Sequence, residues 1–236
     1  MILDIILVGI IAVIAWCVAS EGAWGAALTL VAVIVSGLLA MNFFEATAGF
    51  LEQNLFDSYE WQHRWDVIAL VGLFAGFVFA FRTAAERIMP VHIELHGLVY
   101  DVGRWVCSLA AGYVTMAFLL TALHTAPLPP DTLGFTAEPQ RRVGPLGQSA
   151  PDMKWLGFVQ HMSETAFRSG GGPVFDGPRF ALYPGGDPQV LPTFPIRYAS
   201  RRDRYFGGAP APAAVSPSPA PGRAAGGTGR PSAPRF

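Results

Sequence analysis

Residues 22–44 read GAWGAALTLVAVIVSGLLAMNFF, a run of 23 residues without a charged side chain. An α-helix of that length is about 35 Å long, so it can cross the roughly 30 Å hydrocarbon core of a bilayer with some tilt. A second uncharged run, residues 5–19, ends just before it. The short connection predicts a tight antiparallel hairpin, in which Gly22 and Gly25 let the two backbones approach closely.

Two further apolar runs follow, at residues 67–81 and 105–123. The third run contains Gly72 and Gly76, whose spacing places both glycines on one helix face, where a partner helix can pack. The fourth contains Gly112 in a patch of small residues. Tryptophans lie near the ends of these runs, as expected for rings at the membrane interface. The sequence therefore predicts an all-α integral membrane protein with four transmembrane helices.

Short amphipathic segments accompany the predicted spans. Residues 46–61 place apolar and acidic side chains on opposite helix faces, which predicts either a helix at the membrane interface or one packed against the bundle. Residues 83–97 are interrupted by Pro90 and predict a bent surface element. In residues 151–167 apolar side chains recur every three or four positions after a proline and an aspartate, which predicts an amphipathic helix.

Charge and composition divide the chain into a membrane half and a tail. Only 14% of the residues are charged, against about 25% in soluble proteins, which argues against a soluble enzyme. Residues 1–124 hold 4 basic and 10 acidic side chains, whereas the rest of the chain holds 12 basic and 7 acidic ones and nearly all the prolines. We expect residues 125–206 to be largely irregular apart from the helix at 151–167, with their aromatic residues laid in extended form along another surface. Residues 207–236, rich in Ala, Pro and Gly, are predicted to be disordered.

Basic residues bear on lipid contact and on topology. A cluster in the tail is either a solvated stretch or a contact for anionic lipid or a cell-envelope polymer, and it comprises Arg197, Arg201, Arg202 and Arg204. Close to the predicted spans, three arginines lie on the side that holds the connection between the third and fourth helices, against one to three on the other side. Because basic residues concentrate in the cytoplasm, this distribution favours both termini outside the cytoplasm.

The sequence contains no GxSxG, P-loop, HExxH or CxxC pattern, so we expect neither an enzyme nor a cofactor. His92 and His96 are spaced for one helix face, but a single pair without further ligands predicts an exposed loop rather than a metal site. Charged residues near the spans are the better functional candidates, because a carboxylate in a membrane usually has a partner or a task. Asp4 lies in the first apolar run and Asp101 lies three residues before Arg104. Each has a structural alternative, helix capping for Asp4 and a local ion pair for Asp101.

Several of these features occur together in a known family. The segments ILDIIL at 2–7 and EGAWGAALTLV at 21–31, followed by Asp101 ahead of a small-residue helix with Gly112, resemble the colicin V production (CvpA) family of bacterial inner-membrane proteins. The resemblance covers about residues 1–124. It departs from the family at the hairpin turn, where the family usually has Arg-Gly and this chain has Glu-Gly.

The resemblance implies a function without an enzymatic step. It implies a multi-pass protein of the cell inner membrane that acts as a scaffold in envelope assembly, toxin production or export. Its partners would be the lipid bilayer and either a second copy of the chain or an envelope protein, with no nucleic acid. The alternative is a subunit of a small transport or channel assembly, with a polar path that involves Asp4, Asp101 and Arg104.

Overall fold

The computed structural model describes residues 2–54, 59–88, 97–129, 134–136, 141–166, 175, 180–181, 190–191 and 194–205. Four helices are long and apolar enough to cross a membrane, the third of them over residues 64–88. They are α1 (Ile2–Ala19), α2 (Gly22–Asn54), α3 (Tyr59–Ile88) and α4 (Gly97–Thr125). The predicted all-α architecture with four membrane helices is confirmed.

Shorter elements follow the four long helices. They are α5 (Pro145–Gln148), α6 (Pro151–Glu164), β1 (Phe180–Ala181), β2 (Val190–Leu191) and α7 (Phe194–Tyr205). The two strands pair antiparallel, with Phe180 opposite Leu191. Helix α6 matches the predicted amphipathic helix and ends three residues earlier. Helix α7 was not predicted: an extended course was expected there, and the structure is helical instead.

The centre of the bundle is formed by α2 and α4, with α3 packed mainly on α2 and α1 packed mainly on α4. Gly112 sets the approach of α4 to α1, because a Cβ at this position would lie 2.9 Å from the carbonyl oxygen of Ile11. We call the end with the α1–α2 connection the turn end. The opposite end, where α1 begins and α4 finishes, is the tail end.

The sequence predicted that α1 packs closely on α2, but the main packing partner of α1 is α4. The two helices follow each other directly, yet α1 lies mainly against α4. Gly22 has a φ of +85°, and its missing side chain makes room for the hydroxyl of Tyr100 on α4. Gly25 faces the side chain of Glu21. These glycines therefore allow the tight turn and a contact to α4, not an approach of α1 to α2.

Two apolar cores connect the bundle to the tail. The larger core joins α2, α3 and α4 with buried side chains of α6 and α7: Met153, Trp155, Leu156, Val159, Phe194 and Tyr198. The smaller core joins α1 and α4 through Leu3, Leu7, Met116, Leu120 and Phe135. The tail segments are thus part of the folded unit at the tail end of the bundle.

The boundaries of the long helices differ from the sequence predictions. Helix α2 continues to Asn54, with Ala48 buried in the larger core and Leu51 packed against it, so this part of the 46–61 segment packs against the bundle. Helix α3 continues through residue 88. The predicted bend at Pro90, the pair His92 and His96, and the predicted disorder at 207–236 lie outside the described residues.

Candidate functional site

A buried polar cluster lies where the tail meets the end of α4. His124, in the last turn of α4, is completely buried although it is polar. The neighbouring hydroxyls of Thr121 and Thr125 donate to carbonyl oxygens of the same helix. His124, in contrast, forms a hydrogen bond to the tail. Gly103 of α4 faces Ala23 at the turn end, and His124 lies about 32 Å further along the helix. Because this distance is close to the roughly 30 Å thickness of a hydrocarbon core, the cluster lies near a boundary of the membrane.

Asp152 of α6 is the acceptor at the centre of this cluster. Arg142 donates from Nη1 and Nη2 to the two carboxylate oxygens of Asp152, at 2.6 Å and 2.7 Å. The Nε2 atom of His124 lies 2.7 Å from Oδ2 of the same carboxylate. Arg142 also donates from Nε to the carbonyl oxygen of Thr136 at 2.8 Å. Such two-pronged arginine–carboxylate contacts are the strongest and most directional of their kind.

The cluster is sealed from solvent. His124 and Asp152 have no exposed surface, and Arg142 is 1% exposed. The ring of Phe135 lies 4.9 Å below the Arg142 guanidinium and 5.9 Å from that of Arg202 on α7, and it meets the imidazole edge to face. With a neutral imidazole, the Arg142 guanidinium and the Asp152 carboxylate balance each other, so the formal charge of the three buried side chains is zero.

The charge state of Asp152 follows from its partners. Burial opposes ionisation of the carboxyl group, but the hydrogen bonds from Arg142 and His124 outweigh that effect and hold the pKa of Asp152 well below its usual value. The carboxylate therefore stays ionised at neutral pH and in moderate acid. Its contribution to stability is present above the ordinary aspartate pKa of about 4 and is lost only as the pH falls further.

One nitrogen atom of the cluster forms no hydrogen bond within the described chain. The Nδ1 atom of His124 is buried and has no hydrogen-bond partner among the residues that the structure describes. With Nε2 donating to Asp152, a neutral imidazole presents a bare acceptor at Nδ1, whereas a protonated one presents a donor without an acceptor. The surroundings therefore suit the neutral imidazole.

Local backbone geometry places Asp152 in the cluster. Ala150, just before α6, adopts a left-handed conformation with φ of 48° and ψ of 62°. Such a conformation costs an alanine roughly 1–2 kcal/mol, so the packing that follows must hold it. Pro151 then occupies the first turn of α6 without losing a helical hydrogen bond. The sharp turn aims the first turn of α6 inwards.

Trp155 anchors α6 to the bundle one turn after Asp152. Its ring occupies the space left by the missing side chain of Gly37 on α2, where a Cβ would lie 2.6 Å from it. The ring also meets Phe118 of α4 edge to face at 6.1 Å, and Phe118 stacks on Phe74 of α3 at 4.1 Å. An aromatic chain thus connects the tail to three of the membrane helices.

The basic cluster of the tail pairs with the bundle. Arg197 lies 2.8 Å from Glu45 of α2, and Arg201 lies 2.7 Å from Asp66 of α3. Phe194, the first residue of the same helix, is fully buried in the larger core. The sequence interpretations of these two arginines were a solvated stretch or a contact with lipid or a cell-envelope polymer, and neither included the ion pairs. The acidic partners lie more than 130 residues away in sequence, so no local pattern indicates them.

Asp4, in the first turn of α1, binds the tail. Its Oδ1 accepts a hydrogen bond from the backbone N–H of Gly147 at 3.1 Å. Gly144, with φ of +95°, has no side chain, and a Cβ there would overlap the Asp4 carboxylate. The acidic residue in the first apolar run therefore holds α5 against α1.

Asp101 and Arg104 form the predicted local pair at the turn end. Their closest atoms, Oδ1 and Nη2, are 3.5 Å apart, and Asp101 is 64% exposed at its side chain. An exposed pair of this kind contributes at most about 1 kcal/mol. A stronger pair joins Glu21 to Arg82 of α3 at 2.6 Å, close to the hairpin turn. Asp4 and Asp101 thus lie at opposite ends of the bundle and do not form one site.

The glycines predicted to lie in helix contacts differ in what they face. Gly112 packs against α1, as described above. At Gly72 and Gly76 a Cβ would meet no described atom within 4 Å, so this face of α3 is open in the monomer. The predicted contact with a partner helix at these two glycines is therefore not made within the described chain, and whether a second copy makes it stays a prediction.

Comparisons with known proteins give no relative. No family model, no curated protein and no solved structure matches this chain. The resemblance to the CvpA family stays a prediction. Within the described ranges there is also no group of three or more His, Cys, Asp or Glu side chains placed to hold a metal ion.

Sequence reasoning missed the Arg142–Asp152–His124 cluster. Asp152 was interpreted as a helix start, Arg142 entered only the count of basic residues, and His124 drew no attention. The sequence did contain a signal for this cluster. His124 lies near the end of an apolar run, and Arg142 and Asp152 are charged residues in a mostly uncharged chain; such side chains need polar partners when they are buried.

Proposed function

We propose that this protein is a non-enzymatic scaffold of the bacterial inner membrane, of the CvpA type, that acts in envelope assembly, toxin production or export. One observation carries the proposal: the tail engages all four membrane helices at one end. Helix α5 binds α1 through Asp4, α6 binds α2 and α4 through Trp155, and Arg201 of α7 binds α3. A tail fastened in this way offers a shaped surface of fixed position, which is what a scaffold needs.

The buried cluster supports the same proposal. A residue that reacts with a substrate must be reached by it, whereas Asp152 and His124 have no exposed surface. Both oxygens of Asp152 are occupied by partners within the chain. The cluster accordingly favours a positional role, in which the membrane helices and the tail are held in one arrangement.

The partner of the scaffold would be an envelope protein or a second copy of the chain. The experiment is crosslinking in intact cells with the full-length chain, followed by purification in detergent and identification of the captured species by mass. We compare the wild type with Asp152→Asn, which breaks the cluster, and with His161→Gln, an exposed change on the same helix that keeps the single lysine of the chain. We expect one defined crosslinked species in the wild type and in His161→Gln, and its loss in Asp152→Asn. An unchanged species in Asp152→Asn would refute a role for the docked tail.

The transport alternative has its own test. A path that involves Asp4, Asp101 and Arg104 would have to run the length of the bundle, past the fully buried Met116 and Phe118 on α4. Flux of ions or dyes into liposomes containing the purified protein measures it directly. We expect no flux above that of empty liposomes. Flux that is abolished by Asp101→Asn would replace the scaffold proposal with a transport function.

The proposed topology places both termini, and with them the tail end, outside the cytoplasm. Ser216→Cys introduces a label site in the tail. A membrane-impermeant thiol reagent should label this cysteine in intact spheroplasts, with Cys17→Ser and Cys107→Ser present to remove background. Protection until the membrane is permeabilised would reverse the orientation.

A further inference from the structure

We propose that the Arg142–Asp152–His124 cluster is a proton-operated latch: it holds the tail on the bundle when His124 is neutral and releases α6 when His124 is protonated. The three residues come from different parts of the fold, with His124 on α4, Arg142 before α5 and Asp152 on α6. Arg142 and Asp152 both lie in the tail, so the bond between His124 and Asp152 is the hydrogen bond of this cluster that exists only while the tail is docked.

The geometry selects against a proton on the docked imidazole. Asp152 already receives three hydrogen bonds, two from Arg142 and one through Nε2 of His124. A proton on Nδ1 would create a buried N–H without an acceptor among the described residues. Leaving such a donor unpaired costs roughly 1–3 kcal/mol, and more when it is charged.

The surrounding charges act in both directions: the Asp152 carboxylate attracts a proton to the imidazole, whereas burial and the guanidinium groups of Arg142 and Arg202 oppose it. The charged groups that face His124 are Asp152 from α6, Arg142 from the segment before α5, and Arg202 from α7. Protonation would raise the formal charge of the sealed Arg142–Asp152–His124 cluster from zero to +1. In the released state His124 meets solvent, where an imidazole binds a proton near pH 6.5. Protons therefore bind the released form better than the docked form, and acid shifts the equilibrium towards release.

The size of the effect follows from this difference. If only the released form binds the proton, its population relative to the docked form rises about tenfold between pH 7.5 and pH 5.5. Asp152 does not contribute in this range, because its carboxyl group stays ionised far below pH 5.5, as argued above. A tenfold change is therefore the signature of one imidazole.

Hydrogen–deuterium exchange of the α6 backbone in full-length protein in lipid nanodiscs measures the release. After correction for the intrinsic pH dependence of exchange, the protection of α6 should fall about tenfold from pH 7.5 to pH 5.5, while the middle of α4 keeps its protection. His124→Gln retains an N–H that can reach Asp152 but cannot titrate, so it should abolish the pH dependence. His161→Gln, an exposed change on α6, is the matched control and should respond as the wild type does.

Two results would overturn the latch. One is protection of wild-type α6 that does not change with pH. The other is a tenfold response that persists in His124→Gln. If His124→Gln fails to dock at pH 7.5, the imidazole of the wild type is followed by NMR instead, and titration of a docked His124 without loss of α6 protection refutes the proposal. The latch is independent of the scaffold's partner, since these measurements need no partner.

Discussion

Asp152→Asn is the substitution that most directly tests how the tail is fastened. In the wild type the carboxylate balances the buried guanidinium of Arg142 and accepts from His124. Asparagine has one acceptor oxygen, and its amide group would turn two further hydrogens towards existing donors. Removal of one partner of a buried ion pair costs about 3–5 kcal/mol, because the other charge stays buried without compensation.

The measurable consequence is loss of tail docking. A cost of 3–5 kcal/mol reduces the docking equilibrium by a factor of at least about one hundred. Hydrogen–deuterium exchange at pH 7.5 should show this as lost protection throughout α6, with the middle of α4 unchanged as an internal reference. Lys154→Gln lies two residues further along, is exposed, and should change protection by less than about twofold. A loss smaller than about fivefold in Asp152→Asn would show that apolar packing alone holds the tail.

A triple variant separates charge pairing from packing. Replacement of Arg142 by Met, with Asp152→Leu and His124→Leu, removes every charge of the cluster while keeping similar volume. Buried ion pairs often give no more stability than well-packed apolar side chains, so docking should recover to within about tenfold of the wild type. The recovered docking should also be independent of pH between 5.5 and 7.5. Failure to recover would mean that the hydrogen bonds themselves hold α6.

Two further substitutions probe the contacts beside the cluster. Gly37→Leu fills the space that holds the ring of Trp155, where even a Cβ would lie at 2.6 Å; overpacking costs about 1–3 kcal/mol, so α6 protection should fall about five- to a hundredfold. Gly49→Leu lies on the same helix, where a Cβ meets no described atom within 4 Å, and should leave α6 protection unchanged. Equal effects of the two substitutions would contradict the role assigned to the Trp155 ring beside Gly37. Arg201→Gln removes the half-exposed pair with Asp66, worth up to about 1 kcal/mol, and should lower α7 protection by no more than about fivefold. That loss of protection should be smaller at 0.5 M salt, which screens the ion pair. A loss that salt does not diminish would show that Arg201 acts by packing over the ring of Tyr198.

Local patterns predicted the elements well and their partners poorly. The four spans were evident because each is a continuous apolar run, and α6 because its apolar residues repeat at helical spacing. The sequence indicated that Gly112 lies in a small-residue patch for helix packing. It also predicted that α1 packs on α2, whereas α1 packs mainly on α4. Helix α7 was missed, since its glycine- and proline-rich surroundings and its arginines indicate an irregular stretch unless the acidic groups that neutralise them are known.

The amino-acid sequence by itself determined that this is a four-helix membrane protein with an acidic bundle and a basic tail. Hydrophobic burial in a bilayer is a property of each run of residues, so it can be read one segment at a time. Only the tertiary structure decided that the tail is docked and that Arg142, Asp152 and His124 form one cluster. Asp152 lies 10 residues from Arg142 and 28 from His124, and their attraction becomes strong only after folding removes water from all three.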